Sequence, residues 1–188
     1  MPKDGPLILA NSAEAPKLHP VPHLRLRRVR GQLTYVPAGE IDAPRTVVLR
    51  GGMVLPPVEG LCVVGASYDI DDEDASLRSE SHEGNLRRLE AVLGSSLRVG
   101  TLEGRVAFRS VAPDRVPVVG RIAEGVHGAF AYGSRGIIWA ALAAELIASE
   151  LEGEPLPLEA KLVDAMSPGR VAPPAKRRPA VGLPGGGP

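Results

Sequence analysis

Hydrophobic and polar positions alternate in short runs over the first third of the chain. The apolar runs 33–36, 46–49 and 61–66 are separated by glycine and proline turns, which predicts an antiparallel meander. Apolar residues then recur at helical spacing over 81–93. We therefore expect an amphipathic helix that covers one face of this sheet.

The pattern changes in the second half of the chain. Residues 104–109 and 126–132 are expected to be strands, and residues 137–151 form a helical segment that is apolar on almost every side. A helix with so little polar surface is expected to pack on several sides. The run 7–10 is expected to be a buried strand, although nothing before it in the sequence could pair with it.

The last part of the chain has few large apolar residues. Residues 167–188 consist largely of Pro, Gly, Lys and Arg, so we predict a folded domain over 1–166 and a disordered tail over 167–188. The basic cluster 176–178 could contact phosphate, or it could simply be solvated.

Composition excludes several classes of protein. Lys and Arg total 22, as do Asp and Glu, so no global field attracts nucleic acid or an anionic membrane. The single cysteine, Cys62, rules out an internal disulfide and is expected to be an inert core thiol. Prolines between His19 and His23 rule out a shared helical face, and His82 and His127 lie in different predicted elements, so the histidines do not indicate a metal site. Without a signal peptide or membrane span, we expect a soluble, cytoplasmic protein.

Two arginines are candidates for binding a carboxylate. Arg109 lies at the end of a predicted strand, from which its guanidinium could hold a carboxylate in a bidentate manner. A structural ion pair with Asp114 is the alternative, although Asp114 is also a natural turn former. Arg135 lies within the turn from Gly133 to Gly136, where it could point at a ligand.

This turn leads directly into the predicted apolar helix. A helix start offers unpaired N–H groups and the positive end of the helix dipole to an electron-rich ligand. The candidate residues of this turn are Gly133, Ser134, Arg135, Gly136 and Ile137.

An ordered series of sequence blocks resembles one known family. The blocks are 28–32, 65–69, 85–89, 104–120, 133–136 and 152–157. Together they are similar to the C-terminal portion of the D-amino-acid oxidase (DAO) superfamily of FAD-dependent oxidoreductases. Within it they resemble the oxidoreductase domain of bifunctional enzymes that modify the wobble uridine of tRNA.

The resemblance implies a fold, a cofactor and a reaction. The implied fold is mixed α/β, with an antiparallel substrate-domain sheet, its covering helix and the C-terminal remnant of an FAD-binding domain. The implied reaction is oxidative removal of the carboxymethyl group from 5-carboxymethylaminomethyl-2-thiouridine in tRNA. Hydride passes from the substrate carbon to FAD, water hydrolyses the resulting imine, and 5-aminomethyl-2-thiouridine remains. No catalytic acid or base is implied.

The resemblance also implies residue roles. Arg109 and Arg135 match substrate-carboxylate arginines, while the turn from Gly133 to Ile137 matches the helix start that lies against the flavin ring. The family's Gly-x-Gly-x-x-Gly fingerprint is absent, because the Gly51-Gly52 pair opens no helix. The N-terminal Rossmann half is therefore expected to be missing, and an FAD-binding segment or a methyltransferase domain is a possible partner.

Two other interpretations remain open from the sequence. The chain could be a truncated, non-catalytic remnant. It could also be an amine or glycine oxidase that acts on a free amino acid, which the balanced net charge mildly favours.

Overall fold

Two β-sheets form the framework of the protein, for which a computed structural model describes residues 5–21, 24–94 and 100–171. The nine strands in these ranges are β1 Leu7–Leu9, β2 Arg27–Pro37, β3 Val48–Leu49, β4 Met53–Val54, β5 Leu61–Gly65, β6 Asp69–Ile70, β7 Glu103–Val111, β8 Val118–Ala123 and β9 Val126–Phe130. The α-helices in these ranges are α1 Ala15–Leu18, α2 Ser79–Leu93, α3 Gly136–Glu152 and α4 Ala160–Met166.

The larger sheet is antiparallel, as predicted. Its strands follow the order β3-β4-β5-β2-β6, and β7 pairs with β2 along nearly its whole length. Helix α2 packs on β2, β4 and β5, which confirms the covering helix. The core between them is a cluster of buried apolar side chains that includes the predicted Cys62: Val36, Val54, Cys62, Val64 and Leu89.

The register of β2 and β7 decides which side chains share a face. Val29 lies opposite Arg109, and Gly31 lies opposite Ala107. Successive side chains of a strand alternate between faces. The Thr34 side chain is hydrogen-bonded to α2, so the even-numbered positions of β2 face this helix. Arg109 lies opposite Val29, an odd-numbered position, and therefore projects from the other face of the sheet. We call this second side the open face.

The smaller sheet pairs the first strand with two strands from the second half of the chain. β1 pairs with β9 in parallel, and β9 pairs with β8 antiparallel. Helix α3 packs on β8 and β9, burying Leu146 and Ile147. The strands at 7–9 and 126–130 confirm the predicted ones, whereas the sequence analysis did not foresee β8.

The expected packing of the apolar helix on several sides was wrong for the described residues. One face of α3 packs on the sheet, but Ile137 is 95% exposed and Ile138 is 73% exposed. Strand β1 is likewise an edge strand, with Ile8 47% exposed. The two features together leave an unusually apolar surface.

The ordered chain continues beyond the predicted boundary at residue 166. A 3-10 helix spans Pro168–Val171. Within it, the Arg170 guanidinium donates to the Asp114 carboxylate at 2.9 Å and to the Val116 carbonyl oxygen at 2.6 Å. The rest of the predicted tail, 172–188 with its basic cluster, lies outside the described residues. Among the helices of the described ranges, none is both long and apolar enough to cross a membrane.

Candidate functional site

A cavity of about 170 Å³ lies where the two sheets meet. It opens at the carboxyl ends of the parallel strands β1 and β9, beside the start of α3. This edge of a parallel sheet is where ligands of α/β proteins commonly bind. The residues that line it include Ser12, Arg109, Ser110, Tyr132, Gly133 and Gly136.

The turn before α3 is shaped by two residues with positive φ. Ala131 has φ 63° and Gly133 has φ 60°. The Gly133 amide donates to the Ser110 carbonyl oxygen at 3.0 Å, which fixes the turn against β7. Because no side chain caps the start of α3, its first-turn N–H groups can serve an outside acceptor.

Arg109 lies across the open face. Its guanidinium covers Gly31 so closely that a Cβ there would overlap it. It donates a long hydrogen bond of 3.4 Å to the Ser67 carbonyl oxygen and lies 5.7 Å from the ring centroid of Tyr68. Among the described residues it has no carboxylate partner, so the alternative ion pair with Asp114 does not form.

Asp114 is engaged elsewhere. It caps its own turn by accepting the Val116 amide at 3.0 Å, as a turn-forming aspartate should. Burial opposes ionisation of Asp114, but the hydrogen bonds from Arg170 and Val116 outweigh it and lower its pKa. The carboxylate nearest in sequence to Arg109 is thus already satisfied.

The structure brings only part of the predicted turn to the cavity. Gly133 and Gly136 line it together with Arg109. Ser134 and Arg135 are exposed, and Arg135 has no ion pair or side-chain hydrogen bond among the described residues. Ile137 is also exposed and points away from the packed face of α3.

The sequence analysis missed three polar residues of the cavity wall, Ser12, Ser110 and Tyr132. The Ser110 hydroxyl is buried without a hydrogen-bond partner in the described part of the chain, an arrangement that a bound ligand can relieve. Tyr132 lines the same cavity, and burial raises the pKa of its phenol. The sequence offered one signal for Ser110 and Tyr132: Ser110 follows Arg109 directly, and Tyr132 directly precedes Gly133.

A buried arginine on the α2 side of strand β2 was also missed. Arg30 is fully buried, and its guanidinium donates to Asp69 Oδ2 at 3.1 Å and to Gln32 Oε1 at 2.7 Å. It also donates to the carbonyl oxygens of Asp74 and Ser76 at 2.8 and 2.6 Å. Arg30 therefore anchors the acidic loop after β6 and, through Asp69, the segment that carries Tyr68.

The acidic loop is held together by its own charges. Arg78 donates to Asp72 and to Asp74, at 2.5 and 2.9 Å. Hydrogen bonds from the Ser76 amide and hydroxyl, together with Arg78, lower the pKa of Asp74 to about 2. The Asp74 carboxylate is paired with Arg78 within the loop, and Asp74 is not among the residues that line the cavity.

A second, apolar groove of about 430 Å³ adjoins the cavity. Ala10, Ala129 and Tyr132 line both spaces. The other groove residues come from the edge strand β1 and from α3: Ile8, Ala140, Ala144, Ile147, Ala148, Leu151 and Glu152. The site is therefore a polar pocket next to an uncovered apolar surface.

Known proteins are similar in sequence to this chain over most of its length. A bifunctional protein for tRNA 5-methylaminomethyl-2-thiouridine biosynthesis, MnmC of Burkholderia mallei (strain SAVP1), is 41% identical over 191 residues. The match spans 87% of this chain and 29% of that protein. MnmC of Burkholderia ambifaria (strain MC40-6) is 42% identical over the same spans. The chain thus matches less than a third of the length of these relatives.

Solved structures share the fold. Glycine oxidase from Geobacillus kaustophilus superposes with a TM-score of 0.68 at 19% identity, covering 85% of this chain and 44% of that one. Iminodiacetate oxidase from Chelativorans sp. BNC1 gives a TM-score of 0.66 at 24% identity, covering 89% and 47%. The family model of the FAD dependent oxidoreductases (DAO) matches residues 3–150. The chain belongs to the DAO family of FAD-dependent oxidoreductases.

Proposed function

We propose that this chain is the C-terminal part of an oxidoreductase that uses FAD to modify the tRNA wobble uridine. The substrate would be 5-carboxymethylaminomethyl-2-thiouridine and the product 5-aminomethyl-2-thiouridine. The observation that carries the proposal is Arg109, whose guanidinium lies at the cavity without a carboxylate partner in the described ranges. The identity with the MnmC proteins supports tRNA as the substrate.

The residues at the cavity fit one side of a flavin. The uncapped start of α3 offers N–H groups and a positive dipole to an electron-rich ring. Gly133 and Gly136 leave room for close approach, and the Ser110 hydroxyl lacks a partner among the described residues. We propose that Gly133 and Gly136 contact the flavin, and that Ser134, Arg135 and Ile137 border it from the exposed side of the turn.

The substrate would be held by its carboxylate. A carboxymethylamino group ends in the same carboxylate as glycine, and a guanidinium can bind it through two parallel hydrogen bonds. We propose that Arg109 does so and that Arg135, which is exposed, contributes from the turn. When bound, FAD would accept the hydride from the substrate carbon, so the task of these residues is orientation.

The uncovered apolar surface supports the proposal that a further segment completes the enzyme. Parallel strands are normally buried on both faces. In this structure Ile8 of the edge strand β1 is half exposed, and α3 also exposes apolar side chains. We propose that a segment with the Gly-x-Gly-x-x-Gly fingerprint covers this surface and supplies the rest of the FAD site. The assembly would act in the cytoplasm, with the methyltransferase domain of MnmC proteins as a further possible partner.

One observation favours a second function. The net charge is zero, whereas RNA-binding surfaces are usually basic. An oxidase acting on a free amino acid would need the same carboxylate contact at Arg109 and no basic surface. A non-catalytic remnant is a further alternative.

The test is reconstitution. Alone, the chain is expected to bind FAD weakly or not at all. Co-expressed with an FAD-binding segment of an MnmC relative, it should copurify with flavin and form 5-aminomethyl-2-thiouridine in tRNA, measured by nucleoside analysis. Arg109→Ala should weaken substrate use by about 2–5 kcal/mol, whereas the exposed control Arg50→Ala should not. Flavin-loaded protein that oxidises glycine but not tRNA would favour the second function, and no activity on either would favour the remnant.

A further inference from the structure

Tyr68 lies beside Arg109 on the open side of the sheet with much of its ring in solvent. The residue is 44% exposed and lies between strands β5 and β6, directly before Asp69. The Arg109 guanidinium carbon lies 5.7 Å from the ring centroid, and that of Arg115 lies 6.0 Å from it. We call these three side chains the Tyr68 surface.

The two guanidiniums keep their charge available because the nearby carboxylates are engaged. Asp71 accepts from Arg27 at 2.5 Å. Asp114 accepts from Arg170, as described above. Among the described residues, neither Arg109 nor Arg115 has a carboxylate partner. An exposed aromatic ring flanked by two unneutralised guanidiniums is therefore left facing solvent.

This combination has a specific chemistry. Proteins recognise single-stranded RNA by stacking splayed bases on aromatic rings and by contacting the phosphates with arginine. Because the chain as a whole has no net charge, attraction for RNA must come from a local cluster. The Tyr68 surface supplies a local positive charge next to the candidate carboxylate site.

The distances match the proposed substrate. A uridine base and the carboxylate of its carboxymethylaminomethyl substituent are joined by a short chain of single bonds. When that carboxylate is held by Arg109, the base must lie a few ångströms away, which is where the Tyr68 ring is found.

We propose that Tyr68 is the stacking platform for the modified pyrimidine and that Arg115 contacts the phosphate beside it. This inference rests on the proposed function, because it assigns the nucleotide contacts of the same site. It makes Tyr68 and Arg115 determinants of specificity for RNA over a small amine.

The first test uses the chain by itself. A fluorescently labelled anticodon stem-loop RNA is titrated with protein at low salt and followed by anisotropy. Tyr68→Ala should weaken binding about tenfold, while Tyr68→Phe keeps the ring and should bind as the unmutated chain does. Arg115→Gln should lower the slope of log affinity against log salt by about one, and the exposed control Arg50→Gln should not. Absence of RNA binding, or equal binding by Tyr68→Ala, would overturn the proposal.

The second test separates this inference from the proposed function. In the reconstituted, flavin-loaded enzyme, KM is compared for modified tRNA and for N-ethylglycine, a small amine with the same carboxymethyl group. Tyr68→Ala should raise the KM for tRNA several-fold more than the KM for N-ethylglycine. If the unmutated enzyme oxidises only the small amine, the proposed substrate is wrong. If it oxidises tRNA and Tyr68→Ala shifts both KM values equally, only the stacking contact is wrong.

Discussion

The buried histidine on α2 shows how a single residue links the helix to the sheet. His82 Nδ1 lies 2.9 Å from the Thr34 hydroxyl, which in turn accepts a hydrogen bond from the Asn85 side-chain amide at 3.0 Å. The Thr34 hydroxyl can donate to Nδ1 or accept from it, depending on the tautomer of His82. Burial of the ring lowers the pKa of His82, which favours its neutral form.

A pH-dependent stability follows from this lowered pKa. Above about pH 6.5 the ring is neutral in both folded and unfolded chains, so its contribution is fully present. Below that pH the unfolded chain takes up a proton that the folded chain resists, and stability falls as the pH decreases. We expect the free energy of unfolding, measured by urea titration between pH 7 and 5, to decline less steeply in His82→Gln. The difference in slope has an upper limit of about 1.4 kcal/mol per pH unit. Parallel profiles for the two proteins would contradict this assignment.

At the scale of elements, the long pairing of β2 with β7 positions Arg109. Two glycines in this pair are closely approached, but by different groups. A Cβ at Gly31 would overlap the Arg109 guanidinium, whereas a Cβ at Gly104 would overlap the backbone carbonyl of Leu33. A flexible side chain can move aside, but a strand backbone in the centre of a sheet cannot do so cheaply.

These two glycines give a matched pair of variants. The free energy of unfolding of Gly31→Ala should lie within about 1 kcal/mol of that of the unmutated chain, whereas Gly104→Ala should lower it by about 1–3 kcal/mol. In the reconstituted enzyme, Gly31→Ala should nevertheless raise the KM for the carboxylate substrate, because it displaces Arg109. Thermal unfolding and steady-state kinetics measure the two effects. A normal KM in Gly31→Ala would show that the observed position of Arg109 is not the one that binds substrate.

The elements also show what the sequence pattern could predict. Short apolar runs located β5 and β9, and helical spacing located α2, because the burial of each is recorded in its own apolar residues. The start of β2 was missed because its inward positions are Arg30 and Gln32, whose burial depends on hydrogen bonds to a distant loop. The local pattern of apolar and polar residues does not show hydrogen bonds between residues that are far apart in the sequence. For the same reason Ser110 and Tyr68 emerged only once the strands were brought together.

At the scale of the whole molecule, the dominant feature is the uncovered apolar face of α3. The pattern of α3 predicted burial on several sides, and the exposed Ile137 and Ile138 depart from it within the described residues. The solved oxidases that share the fold are more than twice as long as the portion matched by this chain. A helix whose sequence is suited to a core but lies at the surface is most simply explained by a docking partner, which we propose to be the FAD-binding segment.

The last prediction tests this explanation by placing a charge on that face. Ile138→Lys should leave the isolated chain as stable as before, within about 0.5 kcal/mol, because the side chain is already exposed. It should weaken assembly with the FAD-binding segment about ten- to a hundredfold, since burial of an isoleucine contributes about 1.5–3 kcal/mol. Size-exclusion chromatography and flavin absorbance of the copurified complex measure this loss. Leu49→Lys is the matched control, because Leu49 is 72% exposed on the other sheet. A flavin-loaded Ile138→Lys complex would place the docking surface elsewhere, and an equal loss in Leu49→Lys would point to a general effect of the added charge.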